Sequence, residues 1–274
     1  MMLAVILLIL VVLPIFLYTQ NNMLQVTDIN VASDKLPDEF VGYKILQISD
    51  LHSKEFGSNQ KKIMDKIIQI NPDVIVVTGD TVDSRRYDED VCIELLEQLA
   101  GRVPVYLVTG NHEARSNRFE TFENRLQDVG VKVLRNEGTL LERKGSTIAI
   151  LGVDDPAMQG QEQLETALKQ LASKYRNQYK ILLSHRPEFI DLYSENNMEL
   201  VFSGHAHGGQ VRLPFVGGLV APDQGWLPKY TSGVYYQNNT ALVVSRGLGN
   251  SIAPQRIFNR PQLIVVTLTK GEQK

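Results

Sequence analysis

Strand-like runs alternate with helical patterns along this chain, and that alternation restricts its fold more than any other feature. YKILQISD (43–50) and PDVIVVTGD (72–80) are apolar runs that end in polar residues. Between them, NQKKIMDKIIQIN places Ile63, Ile67 and Ile70 on one helical face. The sequence of strand, helix and strand is a βαβ unit, and its two strands must lie parallel. A second helix is predicted over 88–100, a strand over 103–110 and a helix over about 117–128. From 131 to 153 the pattern changes to short strands, VKVLR, TLLER and STIAILGV, separated by turn residues. A helix over 161–175, a strand over 179–184, a short helix after Pro187 and a strand over 198–204 restore the alternation. The tail adds strands near 209–213, 233–237, 240–245 and 262–269. Parallel units at both ends with antiparallel pieces between them predict an α/β fold of two packed sheets covered outside by helices.

Composition sets further limits. The chain has 274 residues, 43% hydrophobic and 22% charged, which suits one globular domain with a substantial core. That domain is predicted over 41–270, after a polar connection over 19–40. The net charge of −3 and the lack of a basic block leave no surface for nucleic acid, and no protein partner is predicted. Cys92 is the single cysteine, which excludes an internal disulfide framework and a thiolate-based zinc site.

Residues 1–18, MMLAVILLILVVLPIFLY, are uncharged and almost wholly apolar. As a helix this stretch would span roughly 27 Å, close to a hydrocarbon core about 30 Å thick. It has no polar stripe, and Pro14 is tolerable in a membrane helix. A cleaved signal is the rival reading, but the basic leader and a small-residue cleavage site are missing. The expectation is a retained single-pass N-terminal anchor in the cell membrane, preceding an extracytoplasmic domain.

Strand ends carry the chemistry. The first ends in SDLHS, with Asp50 and His52; the second in TGDTVD, with Asp80 and Asp83; the third in TGNHE, with Asn111, His112 and Glu113. Later runs end in LSHRP, with His185, and SGHAHGG, with His205 and His207. Ligands bind at the carboxyl ends of parallel strands, so these five ends are expected to converge. Each motif alone reads more readily as a turn, a cap or a satisfied polar residue than as a ligand. Together they account for all five histidines of the chain. Carboxylates, imidazoles and an amide without thiolate make a mixed N/O site suited to divalent transition metals such as Mn, Fe or Zn. There are too many donors for one ion. A carboxylate such as Asp80, on a middle strand, can bridge two ions, which suits in-line displacement at phosphorus.

The order D-x-H, G-D-x-x-D, G-N-H-E, a single His and G-H-x-H resembles the calcineurin-like metallophosphoesterase superfamily over about residues 43–269. That resemblance implies a four-layer α/β/β/α sandwich and a dinuclear centre with two divalent ions. One ion would be held by Asp50, His52, Asp80 and His207, the other by Asp80, Asn111, His185 and His205. It also implies attack by a metal-bridging hydroxide, with His112 contacting the phosphate and protonating the leaving oxygen. Asp83 and Glu113 are read as groups that orient the ligands or cap segments. Arg186 and Arg246 remain open, Arg246 as a substrate contact or a loop bridge.

SGHAHGGQVRLPFVGG and VVSRGLG are similar to a membrane-associated bacterial branch of the superfamily, the YaeI/YkuE-like phosphodiesterases. This implies phosphodiester or phosphomonoester hydrolysis, with relatives that act on nucleotide-sugar lipids; together with the N-terminal anchor, the expected substrate is a membrane-associated phosphodiester, pyrophosphate or phospholipid. The competing class is a non-catalytic membrane module that binds phosphate head groups through its metals. One further stretch, 211–230, holds Leu213, Phe215, Val216, Leu219, Val220, Trp226 and Leu227. It reads either as strand and loop packed on the core or as an apolar lip beside the metals.

Overall fold

In a computed structural model of the chain, the apolar runs become the inner strands of two sheets. The structure describes residues 1–251 and 253–272, without the side chains at positions 3–5 and 7. The chain opens with α1 (Met2–Asn22) and β1 (Gln25–Ala32). It continues through β2 (Lys44–Ile48), α2 (Lys61–Ile70), β3 (Val74–Thr78), α3 (Glu89–Ala100) and β4 (Val105–Val108). Two helices, α4 (Asn111–Ser116) and α5 (Phe119–Asp128), lead to β5 (Lys132–Val133), β6 (Glu137–Arg143) and β7 (Ser146–Gly152). Next come α6 (Pro156–Gln159), α7 (Gln161–Lys174), β8 (Tyr179–Leu183), α8 (Ile190–Glu195) and β9 (Leu200–Ser203). Four two-residue strands follow: β10 (Arg212–Leu213), β11 (Gly217–Gly218), β12 (Val220–Ala221) and β13 (Gly225–Trp226). The chain closes with β14 (Gly233–Gln237), β15 (Thr240–Val244) and β16 (Gln262–Thr269).

One six-stranded sheet has the order β1-β16-β2-β3-β4-β5 and the other β14-β15-β9-β8-β7-β6. Both are mixed. Strands β2 to β5 run parallel with β16 antiparallel to them, and β7, β8, β9 and β15 run parallel between antiparallel edges β6 and β14. Alternation along each strand then assigns the layers. Leu46, Ile48, Ile75 and Val77 pack against the apolar faces of α2, α3 and α5. Their neighbours Ile45, Val74 and Val76 meet Ile150, Ile181 and Phe202 of the opposite sheet. Beyond that sheet, Leu151, Leu182 and Val201 meet Leu164, Leu168 and Leu171 of α7. The result is helix, sheet, sheet, helix. Cys92 lies buried as one more apolar side chain of α3.

Helix α3 shows how local chemistry sets these bounds. Asp88 accepts from the N–H groups of Asp90 and Val91, satisfying donors that a helix start leaves free. Cys92, Ile93, Leu95, Leu96 and Leu99 then line the buried face. The two sheets are also joined by a polar contact. Gln47, fully buried, donates to Thr78 Oγ1 at 3.0 Å and to the Ser203 carbonyl at 2.9 Å.

Three expectations need revision. The stretch 19–40 is not a plain connection, because Gln25–Ala32 pairs in parallel with Gln262–Thr269 and the sheet begins before residue 41. Its polar alternation is that of a half-covered edge strand. Residues 111–116, left outside any helix, form α4, whose start is fixed by Glu113. Segment 211–230 does not pack as core, since Leu213, Phe215, Val216, Val220, Trp226 and Leu227 are all exposed. Of the apolar segment 1–18, residues 2–18 lie within α1. Among the described residues no helix is long and apolar enough to cross a membrane, and positions 3–5 and 7 fall outside the described side chains.

Candidate metal centre

The five predicted strand ends meet. Asp50 and His52 follow β2, Asp80 follows β3, Asn111 and His112 open α4 after β4, His185 follows β8, and His205 and His207 follow β9. All eight are buried. Five of them hold left-handed backbone: Asp50 (φ 50°), His52 (51°), Asp80 (50°), His205 (65°) and His207 (47°). Such conformations cost about 1–3 kcal/mol each in residues with a Cβ, so the surroundings must enforce them. Glu113 does so for Asp80. Its carboxylate accepts from the N–H groups of Asp80 (2.8 Å), Thr81 (2.6 Å), Val82 (3.2 Å) and Gly110 (2.7 Å). Burial and the Asp80 charge push the Glu113 carboxyl up to about 7, and the backbone donors oppose that rise.

Two glycines leave room for the carboxylates. A Cβ on Gly110 would sit 2.3 Å from Asp80 Oδ1, and one on Gly204 would sit 2.4 Å from Asp50 Oδ2. That explains the glycines before Asn111 and His205.

Two groups of ligand atoms, each mutually within 4.8 Å, share Asp80: Asp50, His52, Asp80 and His207, and Asp80, His185 and His205. His52 Nε2 and His207 Nε2 are 3.1 Å apart, and His207 Nε2 is 3.4 Å from Asp50 Oδ1. His185 Nε2 is 3.2 Å from both Asp80 Oδ2 and His205 Nδ1. The Asn111 amide end lies 2.9 Å from His205 Nδ1. With its oxygen on that side, acceptor faces acceptor, an arrangement that a cation resolves; with the amide turned, its nitrogen donates to the ring. His185 Nδ1 lies 2.7 Å from the Thr78 carbonyl and donates to it, which leaves Nε2 as a lone-pair donor. The donor set fits two divalent ions.

Electrostatics separate the groups. Burial pushes the Asp50 carboxyl up, against the pull of His185. Burial works the same way on Asp80, but the charge and hydrogen bond of His185 outweigh it and hold Asp80 well below the usual carboxylate range. His185 is pushed up to about 10, because Asp80 and then Asp50 overcome its burial. Burial drives His52 down to about 3 and His207 far down as well, so these two rings are neutral. A cluster that binds a proton this firmly at His185 is one that attracts cations.

His112 belongs to neither group around Asp80. Its ring meets His52 edge-on with centroids 4.6 Å apart. The Ser84 backbone N–H donates to Nδ1 at 3.0 Å, and Nε2 faces Ser251 Oγ at 3.2 Å. The neutral ring therefore carries its proton on Nε2. Asp83, 3.8 Å from His112 Nδ1, gives positive charge on that ring a counter-charge. Although Asp83 could join His52 and His112 around an ion, its oxygens already accept from Arg85 N, Arg86 N and Arg86 Nη2. Asp83 and Glu113 thus hold loops and rings in place.

Arg186 and Arg246 have different fates. Arg186 clasps Asp155 through Nε (2.6 Å) and Nη2 (3.1 Å) and bonds Asp223 through Nη1. Asp223 Oδ2 also lies 2.8 Å from His205 Nε2, so a carboxylate backs the ring whose Nδ1 faces the cluster. Arg246 instead donates to Gln25 Oε1 of β1 at 2.8 Å, behind the histidine loop. Sequence reasoning missed Asp155, Asp223, Ser84 and Ser251. A signal existed for Asp155, which ends the ILGVDDP run just as Asp80 ends its own. For Asp223 and Ser251, contacts 18 and 139 residues away in sequence leave none.

Comparisons with known proteins agree with this geometry. The pattern of the calcineurin-like phosphoesterases matches residues 43–209. The chain is 32% identical to the uncharacterized metallophosphoesterase YkuE of Bacillus subtilis, over 92% of this chain and 87% of that one. It is 27% identical to phosphodiesterase YaeI of Escherichia coli, over 84% of each. Among solved structures, TT1561 of Thermus thermophilus aligns with a TM-score of 0.50 at 14% identity, covering 75% of this chain and 90% of that one, which speaks for the fold alone. Calcineurin-like phosphoesterases use a dinuclear divalent metal site, and the clustered donors here are of that kind. With its two ligand groups hinged on Asp80 and its family pattern matched from Tyr43 to Gly209, the chain belongs to the calcineurin-like metallophosphoesterases.

Proposed function

We propose that the chain is a phosphodiesterase acting on phosphoesters presented at a membrane surface. Asp50, His52, Asp80 and His207 would hold one ion, and Asp80, Asn111, His185 and His205 the other. When bound, two divalent ions there supply Lewis acidity toward phosphoryl oxygens and lower the pKa of water. The observation that carries catalysis over mere binding is His112: it lies against the cluster, outside both groups around Asp80, and its charged form, beside Asp83, could pass the Nε2 proton to a leaving oxygen and return to the neutral ring. Asp83 supports charge on that ring, while Glu113 and Asp223 keep Asp80 and His205 in register. Burial of the cluster strengthens each of these interactions.

Membrane presentation is supported by exposed apolar side chains. Leu8 to Leu13 of α1 are all exposed, so no side of that stretch packs on the domain, and water is a poor solvent for such a helix. Phe16 packs edge-on against Phe258 at 5.4 Å, and the neighbouring Ile257 pairs with Val211 at the root of the exposed 213–227 lip. Helix and lip are thus joined through one segment and form an apolar surface near the site.

The test is a panel of soluble and lipid-bearing phosphoesters in mixed micelles, with Mn or Zn supplied. The proposal expects hydrolysis, diesters ahead of monoesters, and a lipid preference that falls in Phe215→Ser/Trp226→Ser. Two bound ions without turnover of any phosphoester would make the protein a binding module. An unchanged preference in the double variant would remove the membrane reading.

A further inference from the structure

The described residues of 246–259 form almost no regular secondary structure, yet they back the Asp50, His52, His112 and His207 side of the centre. Leu248 N donates to the Ser49 carbonyl at 3.0 Å, and Gly249 N donates to that of Asp50. A Cβ on Gly249 would lie 2.2 Å from the Leu51 carbonyl and 2.8 Å from His52 Cβ, so the two chains run in direct contact. Ser251 meets His112 Nε2, and Asn259 Nδ2 donates to the His207 carbonyl at 2.7 Å. Something outside the sheets must hold so irregular a loop.

Arg256, fully buried, ties it internally by donating to the carbonyls of Arg246, Gly249 and Asn259 and to Asn250 Oδ1. The outer hold comes from the end of α1. Asn21 Nδ2 donates to the Pro254 carbonyl at 2.9 Å, and Asn21 Oδ1 accepts from Arg256 N at 2.9 Å. Gln255 Nε2 donates to the Leu17 carbonyl at 3.0 Å, and Gln20 Oε1 accepts from Asn259 N at 3.2 Å. Lys54, two residues after His52, donates to the Asn21 carbonyl. The same helix end walls a pocket of about 290 Å³ that opens onto His52 and Ser53.

We infer that Asn21 is a positioning residue, through which the apolar N-terminal helix sets the loop that holds Ser251 against His112. The helix is then a working wall of the site as well as an apolar attachment. A bare tether would need only exposed apolar residues, whereas Asn21 spends both ends of its amide on one loop. This rests on the phosphoesterase reading for its kinetic part and on geometry alone for its structural part.

The experiment uses the full chain in detergent micelles, comparing wild type with Asn21→Ala and Gln255→Ala, which cut the contact from opposite sides. Tyr18→Ala, an exposed position of the same helix, is the control. Hydrogen exchange of 249–256 should accelerate roughly tenfold in both test variants, as loss of one or two hydrogen bonds gives, with β2 to β4 unchanged. With two ions still bound, kcat on aryl phosphodiesters with poor leaving groups should fall about tenfold, and by less than about threefold with good ones. Exchange no faster than in Tyr18→Ala overturns the inference, and so does faster exchange with equal slowing for all leaving groups. If wild type hydrolyses no phosphoester, the functional reading fails, and the exchange arm alone decides whether Asn21 holds the loop.

Discussion

Metal loading should be strongly acid-sensitive, and the sensitivity should trace to His185. Its pKa is pushed up to about 10 by Asp80 Oδ2, 3.2 Å away, and by Asp50, so near neutral pH the metal-free ring is protonated. An ion that uses Nε2 must first displace that proton. The protonated form is favoured below the raised pKa, so apparent affinity falls as pH falls. Each unit below about 10 costs up to tenfold for one proton, hence about 10³, or about 4 kcal/mol, at pH 7. Burial raises Asp50 as well, which adds to the acid sensitivity. His52 and His207 are driven down and contribute none. Titration calorimetry with Mn or Zn at pH 6.5, 7.5 and 8.5, in buffers of different ionisation enthalpy, counts the protons. At least one should be released per chain, and His185→Asn should release one fewer. Release of none, or an unchanged count in His185→Asn, would refute the reasoning.

Three other perturbations have definite expectations. Gly204→Ala places a Cβ 2.0 Å from Ser49 Oγ and 2.4 Å from Asp50 Oδ2, so Asp50 must move; equilibrium dialysis should show at least about tenfold weaker metal binding. Asp223→Ala removes the carboxylate behind His205 and should cost about 10–100-fold in affinity for one ion, with the fold intact by circular dichroism. His112→Ala should keep both ions yet lose roughly 10²–10⁴-fold in turnover, less for substrates with good leaving groups. Loss of metal in that variant would move His112 into the coordination shell.

The seven ligand candidates and His112 were legible because each sits at the end of an apolar run, and parallel strands send such ends to one edge. Pairing a strand with its motif needed only local pattern. What the pattern could not convey is contact across distance. Asp223 lies in the turn between β12 and β13, and only the folded chain brings its carboxylate to His205. Edge strand β1 was obscured because QVTDINVA is covered on one side only and carries polar residues on the other. Helix α4 was obscured because G-N-H-E reads as a turn until Glu113 is seen to cap it. The apolar N-terminus was plain as composition, but its docking through Gln20 and Asn21 was not, since those polar residues lie past the apolar run.

The central claim is that one carboxylate joins two ions in a hydrolytic centre. Metal content and phosphodiester turnover of wild type and Asp80→Asn, measured on the same preparations, test it most directly. Wild type should bind two ions per chain, with turnover following the second. Asp80→Asn should lose affinity for both and lose turnover with them. Two ions still bound per chain in Asp80→Asn at wild-type affinity would contradict the account.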